Sequence, residues 1–337
     1  MTVKAIGLIS GGLDSVLAVA VLQKQNVEVI GVQIINGFSN VNLDNYRELD
    51  AYKSSQKLNF QYLPIDITKE YWDILLHPKH GYGKNVNPCI DCHAFMFKTA
   101  KKIMEENNAD FVFTGEVLGQ RPMSQMLPTL NIIEKESGLV GKLLRPLSAK
   151  LLKPTDAEND GRIDRNLLKD FQGRNRTPQL NLAKEFGIEH IANAGGSGCY
   201  LTDPYYAKKM KDVFKHIGKD NLSKTDVEIL SIGRHFRLNE NCKLIVSRDE
   251  AEYYKLLKFK KNNYYFEILN YAGAIGIGIG NFDNDNLTLA SQIIARYSKG
   301  KNEDDVKIKI DYDNNSIKEL TIDPFPINSI KLKSLMI

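Results

Sequence analysis

The stretch SGGLDS at residues 10–15 limits the fold of this chain more than any other feature. It follows an apolar run at residues 3–9 and precedes a second apolar run that begins at Val16. Two glycines between a strand-like and a helix-like segment expose backbone N–H groups at the positive end of a helix dipole, which is a site for phosphate. The stretch therefore predicts a strand, a phosphate-binding loop and a helix, in that order.

Asp14 narrows the choice of ligand for this loop. A carboxylate beside a polyphosphate is repulsive unless it holds Mg²⁺, which prefers oxygen ligands. The lysine of a GxxxxGK[ST] loop is missing, and so is the GxGxxG spacing of dinucleotide-binding folds. The structural alternative is a tight turn in which Asp14 caps the helix.

Strand and helix patterns alternate through the first half of the chain. Strand patterns occupy 3–9, 27–35, 60–67, 110–117 and 141–147, and helix patterns occupy 14–25, 42–58 and 93–107. Units of this length predict an α/β fold, a doubly wound parallel sheet with helices on both faces. Because ligands of such sheets bind beyond the carboxyl ends of the strands, SGGLDS, Gln33 and Thr114-Gly115-Glu116 should share one edge.

The character of the sequence changes along the second half. Residues 149–178 are basic and turn-rich, which predicts an excursion from the sheet, and helix patterns follow at 179–187 and 204–217. Short strand patterns at 243–247, 264–270, 306–312 and 317–322, with helix patterns near 249–258 and 287–297, then predict a second, smaller α+β domain. We expect domains at 1–222 and 223–337.

Composition excludes some classes of protein. No apolar stretch approaches the roughly 20 residues that span a bilayer, and the N-terminus lacks a signal-peptide layout, so a cytoplasmic protein without a membrane partner is expected. The net charge of +4 permits a nucleic-acid partner without requiring one. Four cysteines in 337 residues are too few for a disulfide framework, which favours metal, cluster or thiol chemistry.

Cys89 and Cys92 form a CxxC pair at the start of a predicted helix. Helix N-termini and neighbouring thiols lower the pKa of a thiol, so at least one of the pair should be reactive. Zinc binding, disulfide exchange, cluster ligation, persulfide chemistry and two inert buried thiols all remain open. Cys199 ends a glycine-rich loop at 194–199, which predicts an accessible thiol, whereas Cys242 lies beside an apolar strand and is expected in the core.

SGGLDS matches the SGGxDS motif of the PP-loop ATP pyrophosphatases. The NPCIDC segment at 87–92, the strand ending in Thr114-Gly115 and the later Cys199 resemble the tRNA thiouridylases of that superfamily, over about residues 1–217. Those 2-thiouridylases carry histidine where this chain has Glu116. The resemblance implies an adenine-nucleotide hydrolase type of sheet. It also implies an enzyme that splits ATP to AMP and pyrophosphate and adenylates a uridine carbonyl oxygen, which sulfur then replaces.

The resemblance also implies roles for individual residues. ATP would be bound by Ser10, Gly11, Gly12, Asp14, Ser15, Gln33 and Gly115, with Mg²⁺ on Asp14, and the catalytic residues would be Cys89, Cys199 and Asp14. A 4Fe–4S cluster would be held by Cys89, Cys92 and Cys199. In the alternative mechanism Cys199 carries a persulfide and Cys89 resolves it; we favour the cluster because Cys92 has no role in a two-cysteine mechanism.

Basic residues predict contacts with RNA phosphates, although a solvated surface is the alternative. The candidates are Arg121, Arg145, Lys150, Lys153, Arg174, Arg176, Lys208 and Lys209. The expected partners are tRNA and a sulfur donor, either a cysteine desulfurase or free sulfide; a homodimer is compatible with the sequence. Two other functions stay open: sulfur insertion into a small-molecule cofactor precursor, and a non-catalytic sulfur carrier that binds nucleotide.

Overall fold

The computed structural model describes residues 2–39, 41, 43–188, 198–313, 315–326 and 330–337. It divides into two compact units, Met1–Thr202 and Asp203–Ile337. The sequence prediction placed the domain boundary later, at 222/223. The division falls earlier because the helix Pro204–His216 packs within the second unit, where Lys209 and Asp212 hydrogen-bond to later residues.

The first unit is built on a parallel five-stranded sheet in the order β3-β2-β1-β4-β5. Its strands are β1 (Lys4–Leu8), β2 (Glu28–Ile35), β3 (Gln61–Asp66), β4 (Phe111–Thr114) and β5 (Leu143–Leu144). In the register of the sheet, Leu8 pairs with both Val32 and Thr114. The carboxyl ends of β1, β2 and β4 therefore lie side by side at one edge.

Helices cover both faces of this sheet. They are α1 (Leu13–Gln23), α2 (Asp50–Leu58), α3 (Thr68–Leu76), α4 (Cys89–Glu106), α5 (Leu127–Ser137), α6 (Asp156–Asn159) and α7 (Thr177–Glu185). Ala5 of β1 packs in a core with Leu17 of α1 and Leu182 of α7, whereas its neighbour Ile6 packs with Phe97 of α4 and Ile133 of α5. Since successive strand residues face opposite ways, this arrangement confirms the predicted doubly wound α/β fold.

Several elements differ from the sequence prediction. The nine-residue helix α3 was not predicted, because it is shorter than the roughly 11-residue window in which a helical period becomes visible. Helix α5 was also missed; Pro128 is a helix breaker in most positions but is tolerated in the first turn, where it lies here. The excursion at 149–178 contains only α6 and short 3₁₀ turns before α7, yet Ile163 and Leu168 anchor it in the core beneath α1.

The second unit has an antiparallel six-stranded sheet in the order β11-β10-β8-β9-β7-β6. Its strands are β6 (Arg234–Asn239), β7 (Cys242–Val246), β8 (Tyr264–Ile268), β9 (Gly276–Gly280), β10 (Val306–Tyr312) and β11 (Asn315–Ile322). Its helices are α8 (Pro204–His216), α9 (Lys224–Glu228), α10 (Glu250–Leu257), α11 (Asn284–Ala295) and α12 (Ile330–Leu335). This confirms a separate domain of mixed strands and helices. Within the ranges given above, no helix is both long and apolar enough to cross a membrane.

Strand β9, with the sequence GIGIG, was not predicted as a strand. Glycine weakens strand propensity, so its density hid the pattern. The reason for it is close packing: a Cβ atom on Gly276 would lie 2.4 Å from Ile294 of α11. Ile294 belongs to the core of this unit together with Phe266 and Ile308. Gly276 therefore lets α11 approach the sheet directly.

Candidate active site

The SGGLDS loop connects the end of β1 to α1, as predicted. Gly11 has a φ of +78°, and a Cβ atom there would lie 2.6 Å from the backbone nitrogen of Ala51, so only glycine fits. The Ser15 hydroxyl donates to the carbonyl of Gly12 at 2.8 Å. Gly12, not Asp14, occupies the N-cap of α1 and offers no side-chain cap, so the first amides of the helix are left for a ligand.

A cavity of about 250 Å³ opens at this edge of the sheet. Six of the seven residues predicted to bind ATP line it: Ser10, Gly12, Asp14, Ser15, Gln33 and Gly115. Its wall also contains His93, Met96, Phe97, Thr114, Glu116, Arg121, Gln125 and Arg176. Segments that are distant in sequence thus meet in one cavity where backbone amides and hydroxyl groups converge.

Asp14 lines this cavity and is held in place by two side-chain amides. Its Oδ2 accepts a hydrogen bond from Gln120 Nε2 at 2.7 Å, and Gln120 Oε1 in turn accepts from Gln179 Nε2 at 2.9 Å. Its other oxygen, Oδ1, is buried and has no hydrogen-bond partner among the described residues. An unsatisfied buried carboxylate oxygen is costly, and a hard cation such as Mg²⁺ would satisfy it. The predicted magnesium ligand fits its site.

Gln33 is oriented by a hydrogen bond from β3. The Tyr62 hydroxyl donates to Gln33 Oε1, which leaves the amide nitrogen of Gln33 to face the cavity as a donor. Burial, and then the neighbouring Tyr46, raise the pKa of Tyr62 to about 12, so its hydroxyl stays protonated at neutral pH. Tyr62 packs against Tyr46 and Tyr52 with ring centroids 6.0 and 5.6 Å apart. The fixed amide donor suits a ring nitrogen acceptor of adenine.

Replacing Tyr62 with Phe should free the Gln33 amide to rotate. We expect the KM for ATP to rise by about 2- to 10-fold, which corresponds to one lost hydrogen bond, and the discrimination against GTP to fall. Steady-state ATP–pyrophosphate exchange with each nucleotide measures both effects. The matched control is Tyr46→Phe, because the Tyr46 hydroxyl contacts Arg47. Equal kinetics for Tyr62→Phe and wild type would contradict this role.

Glu116 lies at the centre of a buried ion-pair network behind the cavity. Its Oε1 is 3.0 Å from His93 Nδ1, and its Oε2 is 3.0 Å from Arg145 Nε. Arg145 also donates to Glu134 at 3.1 Å. Burial alone would raise the pKa of Glu116, but the His93 hydrogen bond and the Arg145 charge outweigh it and hold that pKa below its usual value. Glu116 is therefore ionised and positions His93.

The prediction that Arg145 contacts RNA is wrong. Its side chain is only 3% exposed, and it is committed to Glu116 and Glu134. Its neighbours Leu143, Leu144, Pro146 and Leu147 are all buried, so Arg145 does not belong with the surface cations. A lone arginine inside an apolar run was the available sign that it pairs internally.

The exchange Glu116→Gln should destabilise the first unit by about 3–5 kcal/mol, because it leaves Arg145 buried without its main counter-charge. Since the pKa of Glu116 is lowered by folding, wild type should lose this stabilisation as the pH falls below the ordinary glutamate value of 4.5, whereas the variant should not. Urea unfolding from pH 7 down to about pH 2 measures both. Glu136→Gln, which removes a surface pair with Lys79, is the control expected to change little; a similar loss in both variants would refute the network's role.

Helix α4 brings the CxxC pair next to the cavity. Cys89 is its first residue, and Asn87 Nδ2 lies 3.1 Å from the Cys89 sulfur. Cys92 is buried one turn later, where the Tyr71 hydroxyl donates to it and Asn36 Nδ2 lies 3.9 Å from its sulfur. His93, the next residue, lines the cavity.

Burial controls the ionisation of these thiols. It raises the pKa of Cys92 to about 12, with further increases from Cys199 and Cys89, and it raises the pKa of Cys199 to about 11, with a further increase from Cys89. The thiols thus lie close enough to oppose one another's ionisation. The expected lowering by the helix N-terminus is not seen at Cys92, because burial outweighs the helix dipole. Cys242 is fully buried within the second unit.

Cys89, Cys92 and Cys199 are suited to a cluster by their donor chemistry. Thiolates are the standard ligands of iron–sulfur clusters, and a cation among them would offset the repulsion that adds to the effect of burial on the pKa values of Cys92 and Cys199. In the part of the chain that the structure describes, no three His, Cys, Asp or Glu side chains are gathered closely enough to hold a metal ion as they stand. Most of the glycine-rich loop before Cys199, residues 194–197, lies outside the described residues.

The other predicted RNA contacts fall into three groups. Arg121 and Arg176 line the cavity. Lys150, Lys153, Arg174 and Lys208 are exposed. Lys209 does not fit the prediction: its Nζ donates to the carbonyls of Leu230 at 2.9 Å and Gly233 at 3.2 Å, and burial lowers its pKa to about 8. These bonds join α8 to the segment of its own unit that immediately precedes β6.

Two family models match the chain. Residues 1–150 match the model described as Thiamine biosynthesis protein (ThiI), and residues 233–333 match NFACT protein RNA binding domain. The chain is 35% identical, over 32% of its length and 31% of the relative's, to Probable mitochondrial tRNA-specific 2-thiouridylase 1 of Caenorhabditis elegans. It is 30% identical, over 43% of its length and 36% of the relative's, to Probable tRNA sulfurtransferase of Thermococcus kodakarensis. The chain thus spans about a third of the length of these relatives.

Among solved structures, the fold is similar to one described as "Crystal structure of a 4-thiouridine synthetase - RNA complex with bound ATP". The similarity has a TM-score of 0.41 and 20% identity, and covers 68% of this chain and 51% of the other.

Proposed function

We propose that the chain is a member of the PP-loop superfamily, similar to its tRNA sulfurtransferases, and that it thiolates tRNA in an ATP-dependent reaction. The observation that carries the proposal is the position of α4. This helix begins with Cys89 and Cys92, and its next two turns line the cavity at the SGGLDS loop with His93 and Phe97. One rigid element therefore links a nucleotide site to a group of thiols.

The first chemical step is adenylation. A uracil carbonyl oxygen attacks the α-phosphorus of ATP, the new O–P bond forms, and pyrophosphate leaves with the electrons of the broken bond. Backbone amides and hydroxyl groups of residues 10–15 bind the phosphates, and Arg121 and Arg176, which line the same cavity, are suited to pair with them. Asp14 would hold Mg²⁺, which neutralises phosphate charge when bound.

The second step replaces the activated oxygen with sulfur. A sulfur nucleophile attacks the uracil carbon, and AMP leaves with the former carbonyl oxygen. Cys89, Cys92 and Cys199 would hold a 4Fe–4S cluster, which supplies an open iron for a sulfur ligand. The chain's own contribution is to hold Cys89 and Cys92 on the helix that lines the cavity and to bury Cys92 away from water. The sulfur itself comes from a desulfurase or from free sulfide.

A variant of Cys92 distinguishes the cluster mechanism from the persulfide mechanism. Wild type purified without oxygen should contain iron and absorb in the charge-transfer region of iron–sulfur clusters. Cys92→Ser should lose both, because a serine hydroxyl is a poor substitute for a thiolate ligand. Cys242→Ser serves as the control for loss of a buried thiol elsewhere. A colourless, iron-free wild type that still thiolates tRNA would exclude the cluster and leave the persulfide route.

The substrate is tested by ATP–pyrophosphate exchange. We expect exchange to depend on added tRNA, and mass spectrometry of the digested tRNA to show a thiolated uridine after sulfide is supplied. The match of the second unit to an RNA binding domain supports this choice of substrate. Because the model matched by residues 1–150 is described by thiamine biosynthesis, sulfur insertion into a small molecule is the second candidate. Exchange that ignores every RNA but responds to a small carbonyl compound would favour it.

A further inference from the structure

A second cavity, of about 220 Å³, lies within the C-terminal unit. It is formed by the end of α8, by α9 and the turn after it, by the β6–β7 hairpin, and by the end of β9. The apolar part of its wall consists of Val213, Ile217, Ile229, Leu230 and Ile279. Drug-sized ligands occupy pockets of about 300–1,000 Å³, so this cavity has room for a single flat ring system and little more.

The polar side of the cavity is rigid. Arg237 donates to Asp212 from Nε at 3.0 Å and from Nη2 at 2.7 Å, and Lys243 Nζ donates to the same carboxylate at 3.0 Å. Lys243 is only 4% exposed, so its ammonium group is fixed by this contact. Arg237 Nη1 has no hydrogen bond to any described residue and is available to a ligand. The cavity thus presents a prearranged set of donors.

The charges around the cavity argue against an anion as its ligand. Arg237, Lys243 and His216 line it together with two acids, Asp226 and Glu240. Glu240 pairs with His216 at 3.0 Å and with Lys215 at 3.1 Å, and Asp212 contacts both Arg237 and Lys243. A phosphate or carboxylate would meet carboxylate groups from more than one direction. A neutral planar ligand with both donors and acceptors on its edge matches apolar walls and mixed polar groups. Unpaired RNA bases have this chemistry.

Helix α8 carries a row of cations next to the cavity. Lys208, Lys211 and Lys215 are exposed and separated by three and four residues, so they lie on one face of the helix. The last turn of the same helix supplies Val213 and Ile217 to the cavity wall. Exposed lysines in a row suit the phosphates of a nucleic-acid backbone, which bind through charge and not through sequence.

We propose that this cavity binds one unstacked base of an RNA whose backbone follows Lys208, Lys211 and Lys215. The proposal rests on the proposed function in one respect, that the ligand is RNA. It adds a specific contact: a base turned out of its stack, held between apolar walls and recognised on its edge by Arg237 and Lys243. A fully paired helix offers no such base and would meet only the lysines.

Filling the cavity tests the proposal. Ile217 and Ile279 are half-buried at its wall, so Ile217→Trp and Ile279→Trp in the full chain should occupy the space without emptying the core. Ile317→Trp, at an exposed position on β11, is the matched control. In fluorescence titrations we expect both cavity variants to bind tRNA about tenfold more weakly, with unchanged affinity for a fully paired RNA duplex and no change for the control. Thermal melting confirms that the variants are folded.

A second measurement needs no variant. Ultraviolet crosslinking of the wild-type chain to tRNA, followed by peptide mass spectrometry, should give nucleotide adducts within residues 213–243. Adducts confined to other segments, unchanged tRNA affinity in both tryptophan variants, or an equal loss for tRNA and duplex would each overturn the base pocket. If those variants still thiolate tRNA with normal affinity, only the pocket is refuted. If wild type binds no RNA at all, the proposed function fails with it.

Discussion

Replacing Asp14 with Asn should reduce ATP–pyrophosphate exchange by at least about 100-fold while the protein stays folded. The Asn side chain keeps an oxygen that can accept the Gln120 hydrogen bond. The substitution removes the negative charge of a carboxylate whose Oδ1 is buried and has no hydrogen-bond partner among the described residues. A metal ion that neutralises phosphate charge contributes several kcal/mol to the transition state, and its loss accounts for an effect of this size. The rate should be measured over a range of Mg²⁺ concentrations.

The control for this variant is Asp170→Asn, which alters an exposed acid of the same unit. It should exchange pyrophosphate at the wild-type rate. If Asp14→Asn also kept that rate, with the same dependence on Mg²⁺, then Asp14 would have only a structural part in the loop. Thermal melting of both variants shows whether any loss of rate comes from unfolding.

Replacing Cys199 or Cys89 with Ser should separate the two chemical steps. The SGGLDS loop, Gln33 and Gly115 contain no thiol, so ATP–pyrophosphate exchange should continue at the wild-type rate. Formation of thiolated uridine should fall below detection, because sulfur has no route to the activated carbon. Both products can be followed in one reaction, by labelled pyrophosphate and by mass spectrometry of the tRNA. The comparison variant is Cys242→Ala, which removes a buried cysteine of the other unit.

Two outcomes would contradict this assignment of the two chemical steps to different residues. Cys199→Ser and Cys89→Ser could both keep thiolating tRNA, which would place sulfur delivery elsewhere. Alternatively, either substitution could abolish pyrophosphate exchange in a folded protein, which would make that thiol part of the ATP site.

The sequence predicts that the residues expected to bind ATP lie together, because their placement follows a general rule. In a parallel sheet the carboxyl ends of the strands share one edge, so the positions of SGGLDS, Gln33 and Gly115 after three strand patterns were enough to group them. The structure places all three at the same cavity. The edge of the sheet that such a residue occupies can therefore be predicted from the strand pattern alone.

The features that were missed depend on contacts between distant residues. The apolar run around Arg145 indicates that it is buried, but not that Glu116 and Glu134 pair with it or that Glu116 also contacts His93. The pKa of Cys92 could not be inferred from its place on a helix, because its burial depends on the packing around Tyr71 and Asn36. Likewise, the glycines of β9 have meaning only once Ile294 of α11 lies against them.

We propose that this chain couples adenylation of tRNA to the transfer of sulfur. The most direct measurement incubates the full, anaerobically purified protein with tRNA, ATP, Mg²⁺ and sulfide, and counts AMP released against thiolated uridine formed. We predict one AMP for each thiolated uridine, and no thiolation when ATP is omitted. Thiolated uridine that forms without ATP, or AMP that accumulates on tRNA without any sulfur in the product, would contradict the claim.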